Sequence, residues 1–218
     1  MGSEANPYGG TFDGAGHTIS GLYCDMGSDD GAGLFRYTSA NAVIQKVGIS
    51  DSYFDGDSYI GSIAGYNFGK VINCYNTGSI NGYSRIGGIV GFNKDSGAVS
   101  NCYSTGTLRG NSDLCGVEGY YSSGSVTNCY YLSGSGRGQG KTAEQFASGE
   151  VTYLLSGGVT DGTQVFYQTC GVGLPAFSGD TVYQIPSVSG GTDVVYLLAV
   201  WWASPMRPSP TVIPPPVL

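Results

Sequence analysis

One phrase keeps coming back along the chain, and its period limits the fold more than any other feature. Residues 71–78 read VINCYNTG, residues 99–106 read VSNCYSTG and residues 126–130 read VTNCY, so Cys74, Cys102 and Cys129 follow one another at intervals of 28 and 27 residues. A fixed period of roughly 20 to 50 residues marks a stacked repeat, because each unit is too small to bury its apolar face except against a neighbour. Aligned on the cysteines, three copies start at Ile60, Ile86 and Leu114. A weaker copy starts at Ala32, with Val47 in the cysteine position and Tyr37 opposite Tyr66, Phe92 and Tyr120. The opening GGTFDGAGHTISGLYCD adds a half-unit at the start of the stack.

Within each copy the apolar runs are short and are cut by Gly, Asn and Ser, with no helical stripe, so the units read as strands and turns. The expected fold is all-β: a parallel β-helix, or β-solenoid, of about four to five coils, with a short helical C-terminal cap. Spacing varies only between the aromatic and the cysteine: eight residues from Tyr66 to Cys74, ten from Phe92 to Cys102 and nine from Tyr120 to Cys129. That places an outward turn there, where insertion is harmless. Residues 1–135 form the solenoid in this reading, 136–185 a linker and cap, and 186–218 a proline-rich disordered tail holding six of the nine prolines in its last fourteen residues. In the cap, Thr142 with Gln145 fits a capping box and Gly149 interrupts the helical stretch, which is expected to cover the open end of the stack.

Composition narrows the function classes. Charged residues make up 11% of the chain and the net charge is −7, with nine Lys and Arg spread thinly, so no basic stripe tracks a nucleic acid. The most apolar run, Val194 to Ala203, is about half the ~20 residues a membrane span needs. The first residues, MGSEANPYGGTFDG, have neither the basic nor the apolar part of a signal peptide, and the chain reads as a piece of a longer secreted product.

The phrases FDGAGHTISGLY, IGSIAGYN, VINCYNTGSINGYS, IGGIVGFN and SNCYSTG resemble the GLUG-motif repeats of bacterial secreted and cell-surface proteins. The resemblance covers about residues 8 to 135, and SGEVTYLLSGG and TDGTQVFYQTCGVGLPAFSG are similar to a segment that trails such arrays. It implies a β-helical stalk or adhesive surface module without a catalytic centre, located outside the cell or on its surface. Glu118 departs from the pattern, standing where Val90 and Ala64 stand, which suggests a frayed last coil or a solvent-facing position. The proline-rich tail matches nothing in the family.

Catalytic and metal signals are thin. GSGRGQGKT at 134–142 has Ser135 where a phosphate loop needs glycine and lacks the strand and long helix around it, so it reads as a flexible linker. The single His17, in GHT beside Asp13, cannot complete a nucleophilic triad and reads as structural. Asp29 and Asp30, with Asp51 and Asp55, are the remaining carboxylates a polysaccharide-active β-helix enzyme could use, which is the weakest functional alternative. No cofactor is expected. The cysteines lack a C-x-x-C pair, and Val47 in their slot makes Cys74, Cys102 and Cys129 a ladder of small apolar wall residues. Asn73, Asn101 and Asn128 share that register and could form an amide ladder.

With the cysteines inward, alternation puts Tyr75, Tyr103 and Tyr130 outward on successive coils. Two readings stay open: an exposed aromatic ladder that stacks on sugars, or tyrosines that pack on one another and stiffen the rod. The expected partners are a surface glycan or a cell-surface protein.

Overall fold

Each repeat closes into one coil with three walls. In the third coil Lys70–Ile72 and Tyr75–Asn76 make the first wall, Ser79–Gly87 the second and Val90–Asn93 the third. The chain then turns through 94–97, and Ala98–Ser100 lies parallel to Lys70–Ile72 with Val99 opposite Val71. In this computed structural model, which describes residues 1–169, 173–186 and 194–198, the same path is traced by a first coil (Thr11–Ser20, Tyr23–Asp25, Phe35–Tyr37) and a second (Val43–Ser50, Tyr53–Gly61, Ala64–Asn67). A fourth coil follows from Ala98 to Tyr121, and a fifth begins with Ser125–Thr127 and Tyr130–Tyr131. All pairings between coils are parallel. The fold is therefore the expected all-β parallel β-helix, and the opening segment contributes a full first-wall strand of ten residues.

The core is a set of axial ladders. Ile44, Val71, Val99 and Val126 stack on the first wall, Ile60, Ile86 and Leu114 on the second, and Ile63, Ile89 and Val117 fill the corner between the second and third. Most of these side chains are fully buried, and each burial stabilises the stack by about 1.5–3 kcal/mol. This slot holds Leu34 and Ser62 in the first two coils, but at Gly88 and Gly116 only glycine fits: a Cβ on Gly88 would come within 2.2 Å of the Gly116 carbonyl oxygen, and one on Gly116 would strike the Tyr131 ring.

Two slots recur in left-handed backbone from coil to coil. On the first wall, from the second coil on, these are Lys46, Asn73, Asn101 and Asn128, with φ of 50°, 55°, 51° and 49°. This residue breaks strand alternation, so Val71 and Cys74, three apart, both point into the core. For a side chain bearing Cβ such a conformation costs about 1–2 kcal/mol, and Asn carries it more readily than most residues. At the end of the second wall the left-handed residues are Gly31, Tyr59, Arg85 and Asp113, with φ of 85°, 59°, 55° and 52°.

At the far end of the stack the loop at 134–142 adds to the first and second walls. The loop at 134–142 is not a slack linker: Ser135 bonds the Gly116 and Leu114 backbone, and Gln139–Gly140 pairs with Tyr130–Tyr131. Arg137 donates to the carbonyls of Gly124 and Ser122 and reaches Glu118 at 3.3 Å. Glu118 is correspondingly neither frayed nor solvent-facing. Its side chain is fully buried and accepts from Asn93, the last member of an internal polar ladder that runs Thr38, Asn67, Asn93, Glu118.

The helical segment instead lies along the flank of the first wall. Helix α1 (Ala143–Ala147) opens with the Thr142–Gln145 capping box, and left-handed Gly149 separates it from α2 (Glu150–Leu155). Buried Gln168 holds α1 in place, donating to the Phe146 and Ala147 carbonyls and accepting from Thr152. Val182–Pro186 pairs antiparallel with Val194–Leu198. The rest of the expected proline-rich tail, and Cys170, lie outside the described residues.

Candidate functional site

The two features singled out from the sequence, the cysteine and tyrosine ladders, sit back to back on the first wall. Cys74, Cys102 and Cys129 point inward and are at most 1% exposed. Their thiols donate to carbonyls two residues earlier, Cys74 to Ile72, Cys102 to Ser100 and Cys129 to Thr127, at 3.1–3.3 Å. Burial pushes the Cys102 thiol well above its ordinary pKa, so it is held neutral and unreactive. Cys115 lies opposite Gly87, as the alignment requires, and all five described cysteines are free thiols. On the asparagine ladder, Asn128 donates to the Asn101 side chain at 2.8 Å and to the Leu154 carbonyl at 3.1 Å, linking stack to flank.

Tyr75, Tyr103 and Tyr130 do point outward, and Tyr75 stacks on Tyr103 with ring centroids 5.1 Å apart. They are not exposed: their accessibilities are 8%, 1% and 3%. The flanking segment covers them, with Phe177 against Tyr75 and both Phe146 and Phe166 against Tyr103. Each hydroxyl is engaged, Tyr75 with Thr18 at 2.5 Å, Tyr103 donating to the Pro175 carbonyl at 2.5 Å and Tyr130 to Asn128 at 2.6 Å. Burial raises the Tyr103 hydroxyl far above its usual pKa. The tyrosine row and the apolar side chains of Phe146, Val151, Leu155, Phe166 and Phe177 cover each other. Of the two readings left open by the sequence, the rings pack on one another and on the flanking segment, and the row forms an internal interface.

Aromatic rings are instead accessible at the corner between the second and third walls. Tyr37 and Tyr66 stack at 4.3 Å on successive coils, and Phe92 and Tyr120 continue the third-wall register. Left-handed Tyr59 brings its ring to 5.2 Å from Tyr66, 5.4 Å from Phe92 and 6.0 Å from Tyr120. The Arg85 guanidinium sits 4.9 Å from the Tyr59 ring and 5.2 Å from that of Tyr120. Gly91 and Gly119 permit this crowding, since a Cβ on either would collide with the backbone of Tyr59 or Arg85. Tyr59 and Arg85 escaped notice in the sequence because they fall between the aligned phrases. Gly31 in the same slot was the available signal that the position is left-handed.

The carboxylates and His17 do not converge. Asp13 accepts from Ala15 N–H and Gln45, contacts that hold its pKa below the usual range. Asp29 pairs with Arg36, Asp30 accepts from Ser58 N–H, Asp51 from Ser20, and Asp55 from Tyr53 and Asn81. His17 is exposed on the first-wall strand opposite Val47. Among the described residues no group of three His, Cys, Asp or Glu could hold a metal, and no helix is long and apolar enough to cross a membrane.

Residues 56–81 and 82–109 each match the GLUG motif. The chain carries GLUG repeats. Each matched unit is one full turn of the solenoid, beginning midway along the second wall and returning to it, as the register of Gly56 with Gly82 shows. The chain is also similar to halomucin of Haloquadratum walsbyi (strain DSM 16790 / HBSQ001), with 38% identity over 82 residues. That match takes in 38% of this chain and spans 1% of halomucin's length. No solved structure matches the chain.

Proposed function

We propose that this GLUG-repeat solenoid is a non-catalytic scaffold of an extracellular or cell-surface protein, serving as a stiff stalk or adhesive spacer. The observation that carries this reading is the continuity of the coil register. Apolar, thiol, amide and aromatic ladders run along the stack with the same residue types in the same slots, which makes each coil an interchangeable unit of length. Likeness to halomucin supports a place at a cell surface or outside the cell. Because Lys70 and Ala98 occupy equivalent positions on adjacent coils, deleting residues 70–97 removes one turn and leaves matching edges.

The test is to compare the parent with that shortened chain. Both should show β-sheet circular dichroism and cooperative melting, the shortened one at a lower temperature. Both should also leave a panel of polysaccharides without new reducing ends. Reducing-end release that disappears in Asp55→Asn would overturn the non-catalytic reading, and a shortened chain that cannot fold would overturn the modular one.

A further inference from the structure

We propose that the corner formed by Tyr59, Tyr66, Arg85, Phe92 and Tyr120 binds an acidic glycan, with Arg85 taking its carboxylate or sulfate. The inference is independent of the scaffold reading, since a spacer can bind a sugar or not.

The chain treats its two left-handed positions differently. On the first wall, where the conformation only redirects the strand, the last three coils all place Asn in the slot. At the second corner Gly31 meets the same requirement without strain and Asp113 with a side chain that tolerates it, yet the two coils between them place Tyr59 and Arg85 there. Bulky side chains kept in a strained conformation point to a role for the side chains themselves. That role is visible in the geometry: left-handed backbone swings both out of the second wall and over the aromatic row of the third.

The chemistry of the resulting surface is specific. Arg85 lies over two rings, and among the described residues no carboxylate pairs with it, although the chain as a whole carries a charge of −7. A guanidinium stacked in this way keeps its planar fork for a bidentate oxyanion. Tyr120, 42% exposed, and the half-buried Tyr59, Tyr66 and Phe92 supply amphipathic contact area that loses little entropy on binding. Adjacent coils repeat at ~4.8 Å, close to the length of one pyranose residue. A peptide would ordinarily bind by adding a strand to an open sheet edge. Here the third-wall strands at 64–67 and 90–93 are paired on both sides, and residues 1–8 cover the first-coil edge through the Met1–Arg36 and Tyr8–Thr38 contacts. Among the described residues of that wall this leaves only the outer edge of Glu118–Tyr121 for a strand to add to, a mode that a hexa-aspartate peptide tests. A sugar chain needs no such edge.

The experiment is calorimetric titration of the full chain with a galacturonate hexasaccharide, a sulfated galactan hexasaccharide, the methyl ester of the first as a neutral control, and a hexa-aspartate peptide. At least one acidic sugar should bind ten-fold or more tightly than the neutral ester, and the peptide should bind no better than the ester. Arg85→Asn keeps a residue suited to the left-handed conformation, so its melting temperature should equal or exceed that of the parent while affinity for the acidic sugar falls at least ten-fold. Arg85→Lys should lie between the two, and Tyr120→Ala should lose several-fold. Equal binding of sugar and peptide, no binding of either acidic sugar, or full affinity in Arg85→Asn would each overturn the proposal.

Discussion

Arg137 reaches from the closing loop to within 3.3 Å of a Glu118 carboxylate oxygen that has no hydrogen-bond partner and is fully buried. The side chain of Arg137 itself is 39% exposed, so the pair has one dry end and one wet end. Desolvation raises the pKa of Glu118, while the Asn93 hydrogen bond and Arg137 oppose that rise without cancelling it. A carboxyl group with a raised folded pKa binds its proton more tightly when folded than when unfolded. Its contribution is therefore most favourable below the ordinary glutamate pKa of 4.5 and declines as pH climbs from there through the raised value. Urea midpoints measured from about pH 4 to pH 7 should fall more steeply for the parent than for Glu118→Gln, whose difference from the parent should grow with pH. If the two profiles run parallel, Glu118 is not titrating in this range.

Removing the other partner has a different effect. Arg137→Ala leaves a buried charge without its counter-ion, a change that costs about 3–5 kcal/mol for fully buried pairs and less here because half the pair is wet. It also frees the carbonyls of Ser122 and Gly124, so proteolysis of the native protein should begin in the closing loop near 133–141.

The cysteine slot predicts an order of substitutions. Val47 fills it in the second coil, so Cys102→Val should cost less than about 1.5 kcal/mol, as volume-conserving apolar exchanges do. Cys102→Ser places a hydroxyl among Cys74, Cys129 and Val99 and should cost more, of the order of 1–3 kcal/mol. Thermal melts should rank them in that order. A thiol-alkylating reagent should leave Cys74, Cys102 and Cys129 unmodified in the folded parent, because these free thiols are buried.

Much of the architecture could be read from the periodicity, because a stacked repeat writes its register directly into the sequence. The correspondences Tyr37–Tyr66–Phe92–Tyr120 and Gly61–Gly87–Cys115 are both present as parallel partners. What periodicity does not encode is which non-repeating segment covers which surface. Alternation puts Tyr103 outward correctly, but its burial depends on Phe146 and Phe166, more than forty residues downstream and outside the repeat. The accessible aromatic corner was hidden for a local reason: left-handed φ at Tyr59 and Arg85 cannot be inferred from side chains that ordinarily avoid it.

Asn101 separates conformational from hydrogen-bonding roles at the first-wall kink. Asn101→Gly keeps the left-handed backbone but loses the acceptor for Asn128. The expected cost is about 1 kcal/mol, one net hydrogen bond. Asn101→Val loses the same bond and adds the strain of a β-branched residue at φ of 51°, so it should cost about 1–2 kcal/mol more than Gly. Equal stability of the two variants in chemical denaturation would mean that the kink relaxes.

Tyr103 decides whether the flanking segment is a docked part of the module. Tyr103→Phe removes only the hydroxyl that donates to the Pro175 carbonyl and should cost about 1 kcal/mol, with the segment still in place. Tyr103→Ala empties the centre of the apolar cluster formed with Phe146, Val151, Leu155 and Phe166, and a loss of about 3–5 kcal/mol is expected from a cavity of that kind. The solenoid keeps its own core on the opposite side of the same wall, so the loss should fall on the segment rather than the coils. Hydrogen exchange should then show 143–155 unprotected in Tyr103→Ala while amides of 70–93 keep their protection. Simultaneous loss of both would mean that flank and coils unfold as one unit, and that the tyrosine ladder is a structural requirement of the stack.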